Sequence, residues 1–304
     1  MELSIVIINW NTQELLARCL DSVYANPPAI PFEVLVVDNA STDGSATMVQ
    51  RRFPQVRLMV NDDNVGFAQA NNQAIRHSKG DYVLLLNSDT KVKPHALNRL
   101  LDFLKAHPQA GAVGARILNP DGSLQTSCYP RPTLAREFWR LFHLDTFYPY
   151  GSYAMANWDA GASRTVDALL GACILLRRTA LEQVGALDED YFMYSEEVDL
   201  CYRLQKGGWS LYWVPEAEII HYGGQSTKQV AAEMFMQLYR SKLLFFRKHY
   251  GRPAAQLYKL IIGAAALARL FLIPLAWLER PPQRNEHLLL ATLYRRLLAA
   301  LPRM

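Results

Sequence analysis

The chain has 304 residues, half of them hydrophobic, with 16 glycines and 16 prolines, a composition that excludes fibrous and disordered classes and fits one large α/β domain with an appendage. The formal charge of +4 is unevenly distributed: residues 225–304 carry 13 Lys or Arg against Glu233, Glu279 and Glu286, net +10, which leaves −6 for residues 1–224. The two parts therefore face different partners, and no nucleic-acid partner is expected.

Short apolar runs bounded by polar turns, Leu3 to Ile8, Val34 to Val37, Val56 to Val60 and Tyr82 to Leu86, have the character of buried parallel strands. Helical stretches separate them. Asn11 with Glu14 three residues on resembles a capping box opening a helix to about Ala25, and Ser45 to Arg52, Phe67 to Ser78 and His95 to His107 predict further helices. This alternation predicts an open, doubly wound, mostly parallel twisted sheet with helices on both faces and ligands at the carboxyl ends of its strands. Residues 119–168 break the rhythm with Pro120, Pro130, Pro132 and Pro149 among aromatics and no clean period over most of their length, the pattern of a binding loop or lid. A second ordered block follows, with a strand over Ala172 to Arg177, a short helix over Thr179 to Val184 closed by Gly185, a helix over Glu197 to Lys206 ended by Gly207-Gly208, and a strand-like Ala217 to Ile220.

From about Val230 the pattern is helical only. Leu260 to Leu278 is almost wholly apolar apart from Arg269 and Pro274, and Lys259, Arg280 and Arg284 flank it. A span of ~20 residues with an Arg near its middle costs about 2.5 to 3.5 kcal/mol, so a helix lying in the interface is favoured, with Arg269 among headgroups and Trp277 at the acyl boundary. A helical hairpin packed on protein is the plainer alternative, and an oligomer is compatible with it. Cys19, Cys128, Cys173 and Cys201 lack C-x-x-C spacing and are expected to be reduced structural thiols. Met1-Glu2-Leu3-Ser4 has no positive n-region, so no secretory signal is expected and the cytoplasm is the expected compartment.

Several residue groups bear on chemistry. Asn9-Trp10-Asn11-Thr12 follows the first strand in place of a G-x-G-x-x-G turn, which disfavours a nicotinamide or flavin enzyme. Asp38, closing the second strand before Asn39-Ala40-Ser41-Thr42-Asp43-Gly44, can accept hydrogen bonds from a nucleobase or ribose, or serve only in a turn. Asn87-Ser88-Asp89 places a hard oxygen ligand at a strand end, suited to Mg²⁺ or Mn²⁺ on a diphosphate. The acids Glu196, Glu197 and Asp199 lie beside aromatics that shield them, raising their proton affinity as a general base for a sugar hydroxyl requires. The plainer reading makes Glu196 and Glu197 first-turn acids and pairs Asp199 with Arg203. Taken alone, His221 is more simply a core or surface histidine.

Together these segments resemble the family 2 inverting glycosyltransferases of GT-A fold, most closely their rhamnosyltransferase-like branch. The matching pieces are Ser4 to Asn11, Val37 to Ser45, Asn64-Val65-Gly66-Phe67-Ala68 with Asn71-Asn72, Asn87-Ser88-Asp89, Gly171-Ala172-Cys173, Glu196 to Arg203 and His221 to Ser226, in family order over about three quarters of the chain. The resemblance implies a catalytic domain over 1–226, with 119–168 as its acceptor-side insert, and a basic, membrane-associating region over 227–304. It implies that Asp38 holds the base or ribose, with Ile8, Asn9 and Asn11 lining that pocket. Asn64, Gly66, Asn72 and Ser88 then shape the donor pocket, and Asp89 and His221 hold a divalent metal, Mg²⁺ or Mn²⁺. Glu197 is the implied base, with Glu196 the alternative, and Glu196 and Asp199 orient the acceptor and the active-site helix. Asn87 stands where the family's D-x-D motif has its first Asp, which weakens the metal site. The implied donor is a nucleotide diphosphate sugar, dTDP-rhamnose ahead of UDP-sugars, the acceptor a glycan or lipid-linked hydroxyl, and the location the inner face of the cell membrane. A sugar-nucleotide pyrophosphorylase lacks its basic glycine-rich loop here, and an inactive membrane scaffold would not need these acids.

Overall fold

A computed structural model describes residues 1–274 and 281–304, the side chains of 281–284 and 286 apart. Contacts divide the chain into two compact units, one of residues 1–131 with 153–229, the other of 132–152 with 230–304.

The first unit is built from β1 (Leu3–Asn9), α1 (Gln13–Ala25), β2 (Phe32–Asp38), α2 (Ser45–Arg52), β3 (Arg57–Val60), α3 (Phe67–His77), β4 (Tyr82–Asn87), β5 (Thr90–Val92), α4 (Ala96–Ala106), β6 (Ala110–Leu118) and β7 (Cys128–Tyr129). The second unit then contributes α5 (Leu134–Leu141), and the first resumes with β8 (Arg164–Thr165), β9 (Ala168–Leu169), β10 (Cys173–Arg177), α6 (Arg178–Val184), α7 (Glu196–Lys206) and β11 (Ser210–His221). The main sheet runs β3-β2-β1-β4-β10-β6-β11-β5, with β8 paired to β11. Strands β3, β2, β1 and β4 are parallel, β10 lies antiparallel between β4 and β6, and β5 is antiparallel to β11.

Every residue of β1 is buried, because alternate side chains point to opposite faces and both faces are covered. Ile5 and Ile7 pack with Leu16 and Leu20 of α1 and Leu97 and Leu100 of α4. Val6 and Ile8 pack on the other face with Ala70 and Ala74 of α3 and Leu200 and Leu204 of α7. All four cysteines are free and buried, and burial pushes the Cys19, Cys173 and Cys201 thiols up to about 12.

Three local expectations are revised. Asn11 does not cap α1: its Oδ1 accepts instead from the Thr42 amide at 2.7 Å, its φ is 51°, and Thr12 takes the cap position. The strand expected over Ala217 to Ile220 begins at Ser210, because Pro215 falls in a register shift between Val214 and Glu218, where a strand tolerates a missing N–H. Within residues 119–168, the helix α5 forms behind Thr133, whose hydroxyl accepts from the Arg136 amide.

The second unit packs α5 with α8 (Ala231–Leu272) and α9 (Pro281–Ala300) around Tyr239, Leu243, Phe246, Tyr258, Ile262 and Leu297. Gly251, at φ 87° and ψ 172°, breaks α8 into two segments, the second opening with Pro253. Glu137 of α5 is buried beneath Lys242 Nζ at 2.8 Å, Tyr258 Oη at 2.8 Å and Arg140. Burial raises its carboxyl above the usual range, and the Arg140 charge opposes this. Arg269 is not a headgroup ligand here. Its guanidinium donates to the carbonyls of Leu141 and Ala265 and lies over the Tyr294 ring, so the protein satisfies it. Of the apolar stretch to Leu278, residues 275–278 with Trp277 lie outside the described residues, as do Arg280 and the Arg284 side chain.

Candidate active site

The strand ends assemble one polar edge. Register sets Asn9 beside Asp38, Ile8 beside Asn87, Leu86 beside Cys173 and Thr90 beside His221. Asn9 donates from Nδ2 to Asp38 Oδ2 at 3.0 Å, and the Ser41 amide donates to Asp38 Oδ1 at 2.9 Å, so each buried carboxylate oxygen is fixed yet keeps acceptor capacity. Thr12 Oγ1 donates to Asn9 Oδ1 at 2.7 Å and meets Ser88 Oγ at 3.0 Å, linking the Asp38 pocket to the segment that carries Asp89.

Asp89 Oδ1 lies 3.1 Å from His221 Nε2. The ring's tautomer follows from its other nitrogen. Gln125 Nε2 donates to Asn119 Oδ1 at 2.8 Å, which turns Gln125 Oε1 toward His221 Nδ1 at 2.6 Å. Nδ1 therefore carries a hydrogen, which in the neutral ring leaves the Nε2 lone pair facing the carboxylate and in the protonated ring pairs Nε2–H with it. In the neutral ring the two groups are both acceptors, a pair that a cation would bridge. Ligand atoms on adjacent corners of one ion, each about 2.1 Å from it, lie about 3 Å apart, so the pair matches one edge of such a shell. Asn87 Oδ1, buried and with no hydrogen-bond partner among the described residues, sits on the residue whose Nδ2 is 3.5 Å from the same Nε2. Among the described residues no three His, Cys, Asp or Glu side chains converge.

The acids open α7. Tyr194 and Ser195 both take φ 67°, a left-handed turn uncommon outside glycine, and this swings Glu196 and Glu197 onto the first turn of the helix. Glu197 packs beside Gly171, and the neighbouring Ala172 carbonyl accepts from the Asn87 amide at 3.0 Å, so the acids and the Asp89 segment share one end of the sheet. Oε2 of each glutamate is buried, with no hydrogen-bond partner among the described residues. Burial first, and then the Glu197 charge, drive the Glu196 carboxyl well above its ordinary range. Burial also raises Glu197, but backbone N–H groups at the helix start and a hydrogen bond from Glu196 oppose the shift. Two buried carboxyls this close do not both ionise readily, so the pair titrates as a unit whose proton affinity is raised.

This has a consequence for stability. Both carboxyls are raised in the folded state, so their contribution is fully present below the unfolded glutamate value of about 4.3 and is lost as pH rises through the folded values. Glu196→Gln is expected to raise the thermal midpoint at about pH 8, by about 1–3 kcal/mol in stability, with no gain near pH 4. A melting series across pH checks this; a variant parallel to the wild type would show that the pair bears no such cost.

The sequence model of Glycosyl transferase family 2 matches residues 4–185, more than half of the chain. The chain belongs to this family. It is 35% identical over 252 residues, 78% of its length and 82% of the relative's, to the N-acetylglucosaminyl-diphospho-decaprenol L-rhamnosyltransferase of Mycobacterium tuberculosis. It is 26% identical to the low-salt glycan biosynthesis hexosyltransferase Agl10 of Haloferax volcanii, over 78% of this chain and 72% of that one. In structure it resembles a mannosyltransferase of Pyrobaculum calidifontis solved with GDP-Man and Mn²⁺, at TM-score 0.58 and 20% identity, over 99% of this chain and 84% of that one. The protein is thus a glycosyltransferase with the GT-A fold.

Within this glycosyltransferase, not every residue expected at the donor pocket has free polar atoms. Asn64 Oδ1 accepts from Asn39 Nδ2 and the Gly66 amide, and Asn72 is engaged with Leu187 and Glu189. Gly66 (φ +88°) lets Phe192 approach so closely that a Cβ would lie 2.6 Å from its carbonyl. Asn72 and Gly66 dock the 187–192 segment that leads into α7, and Asn64 holds the Gly66 turn in place. Asp199 is buried against Arg203 Nε at 2.7 Å, and Arg203 in turn holds the carbonyls of Val184, Gly185 and Ala186. Its place is structural support for α7, as the i, i+4 spacing allows. Sequence reasoning passed over Gln125 and gave no role to Thr12, Ser41 or the loop after His221. There the Tyr222 amide holds the Asp89 carbonyl at 2.9 Å and Gln229 Nε2 holds the Asn11 carbonyl at 2.9 Å.

Proposed function

We propose that this enzyme transfers L-rhamnose from dTDP-rhamnose, with inversion, to a hydroxyl of an N-acetylglucosaminyl-diphospho-polyprenol at the inner face of the cell membrane. The observation that carries this reading is the paired arrangement at one sheet edge, Asp89 against His221 and Glu196 against Glu197, in a chain 35% identical to a rhamnosyltransferase of that acceptor class.

Asp38, fixed by Asn9 and Ser41, accepts hydrogen bonds from the nucleoside. Asp89 and His221, with Asn87 Oδ1 beside them, would hold a divalent ion, Mn²⁺ or Mg²⁺, whose charge offsets that of the departing diphosphate. Glu197 takes the proton of the acceptor hydroxyl as its oxygen attacks the anomeric carbon from the face opposite the diphosphate, and no covalent sugar intermediate forms. With Glu197 as the base, the pair's remaining proton rests on Glu196 and keeps a second negative charge away from it. In the second unit, Leu134, Phe138, Trp139, Tyr148, Tyr150 and Ile261 line an open groove of about 580 Å³, an apolar surface suited to the acceptor's polyprenyl chain.

The test is a thermal-shift screen of dTDP-rhamnose, UDP-sugars and GDP-mannose with Mn²⁺, followed by transfer to a synthetic acceptor and assignment of the new anomeric centre. dTDP-rhamnose at a hundredfold excess over Kd is expected to stabilise the protein by about 2.7 kcal/mol, with a smaller effect from the others. Stronger stabilisation by, and transfer from, a UDP-sugar would replace the donor assignment.

A further inference from the structure

The second segment of α8 has an apolar face that the described residues of its own unit leave uncovered. Leu257, Leu260, Leu267 and Phe271 are 49, 70, 60 and 84% exposed, and Ala264 between them is exposed too. Their spacing of three, four, three and four residues puts them in one stripe along the helix. The opposite side is occupied: Tyr258, Ile262 and Ala265 are buried in the second unit's core with Leu297, and Arg269 is tied to the Leu141 carbonyl. By length and composition the helix could cross a bilayer, with a mean hydropathy of 1.5 over its most apolar window. A crossing helix, however, would have to surrender that packed face, and with it the Tyr258–Glu137 hydrogen bond, to lipid.

We propose that this segment lies in the plane of an anionic bilayer surface, inserting Leu257, Leu260, Leu267 and Phe271 and not crossing it. The inference rests on the membrane placement proposed above and specifies the surface that makes it. Charge identifies the occupant. Residues 132–152 are neutral, with Arg136 and Arg140 against Glu137 and Asp145, whereas 230–304 carry 12 Lys or Arg against three Glu, net +9. Lys259 lies on this same helical segment, and Arg252, just before its start, is exposed. Anionic headgroups complement that charge, whereas a second copy would bring +9 against +9.

The experiment is co-sedimentation of the full-length protein with phosphatidylcholine vesicles, with and without phosphatidylglycerol, alongside the double variant Leu260→Glu/Phe271→Glu. Both positions are exposed, and an unchanged melting curve verifies the fold. The wild type is expected to bind the anionic vesicles, less at high salt, and the variant to lose at least about tenfold in partitioning. Alkaline carbonate is expected to release the native enzyme from cell membranes. Retention after carbonate would mean a span, and unchanged binding by the variant would move the contact elsewhere. A wild-type dimer that the variant converts to monomer, with no vesicle binding by either, would assign the stripe to a second copy. Transfer to a short water-soluble acceptor should be equal in both proteins; its absence in both would count against the transferase reading alone.

Discussion

Glu197→Gln is expected to retain donor binding and to lose transfer by about 10²–10⁴-fold in kcat, the range for removal of a positioned general base. The amide keeps the shape of the side chain beside Gly171 but cannot accept the acceptor's proton. Stabilisation by nucleotide sugar should therefore match the wild type while product formation falls. Glu196→Gln should be far milder, because an amide can still donate toward Glu197 as the protonated carboxyl does. In the wild type, kcat/KM should fall as pH drops through the raised Glu197 range, since protonation removes the base. Substantial transfer by Glu197→Gln together with its loss in Glu196→Gln would exchange the two roles.

The readable parts of this chain are those whose signal is local. A strand buried on both faces must be a continuous apolar run, and β1, β2 and β4 each end in the polar residue that reaches the site: Asn9, Asp38 and Asn87. Other features depend on partners far along the chain. Gln125 meets His221 across 96 residues, and nothing around Gln125 marks it as the group that fixes an imidazole. Strand β6 is diluted by Gly111 and Gly114, which are small because Trp209 and Leu169 occupy the space where a Cβ would stand. Asn11 has the spacing of a capping residue, yet the Thr42 amide, brought in by the β1–β2 register, competes for its carbonyl oxygen. The acids of α7 were legible as a cluster, but the extent of their burial was not: the desolvation that raises both carboxyls exists only once the chain has packed around the helix start.

His221→Ala is expected to weaken Mn²⁺ binding in the presence of a nucleoside diphosphate by more than Gln125→Leu does, and Gln125→Leu by about 10–100-fold, the usual effect of losing the partner that orients a ligating histidine. Gln125→Leu leaves both candidate ligands in place but removes the acceptor on His221 Nδ1, so the ring is free to rotate and to present the wrong nitrogen. Gln125→Glu restores that acceptor and should recover most of the affinity. Asn87→Asp tests the same site from the other side. A carboxylate where Oδ1 now has no partner, next to Asp89, should lower thermal stability without metal through like-charge repulsion and tighten Mn²⁺ when it is supplied. Titration of Mn²⁺ by electron paramagnetic resonance reads affinity directly, with no dependence on turnover. If affinity is indifferent to His221→Ala and to Asn87→Asp alike, the ion binds elsewhere, and the contact between Asp89 and His221 is a structural one that Gln125 merely orients.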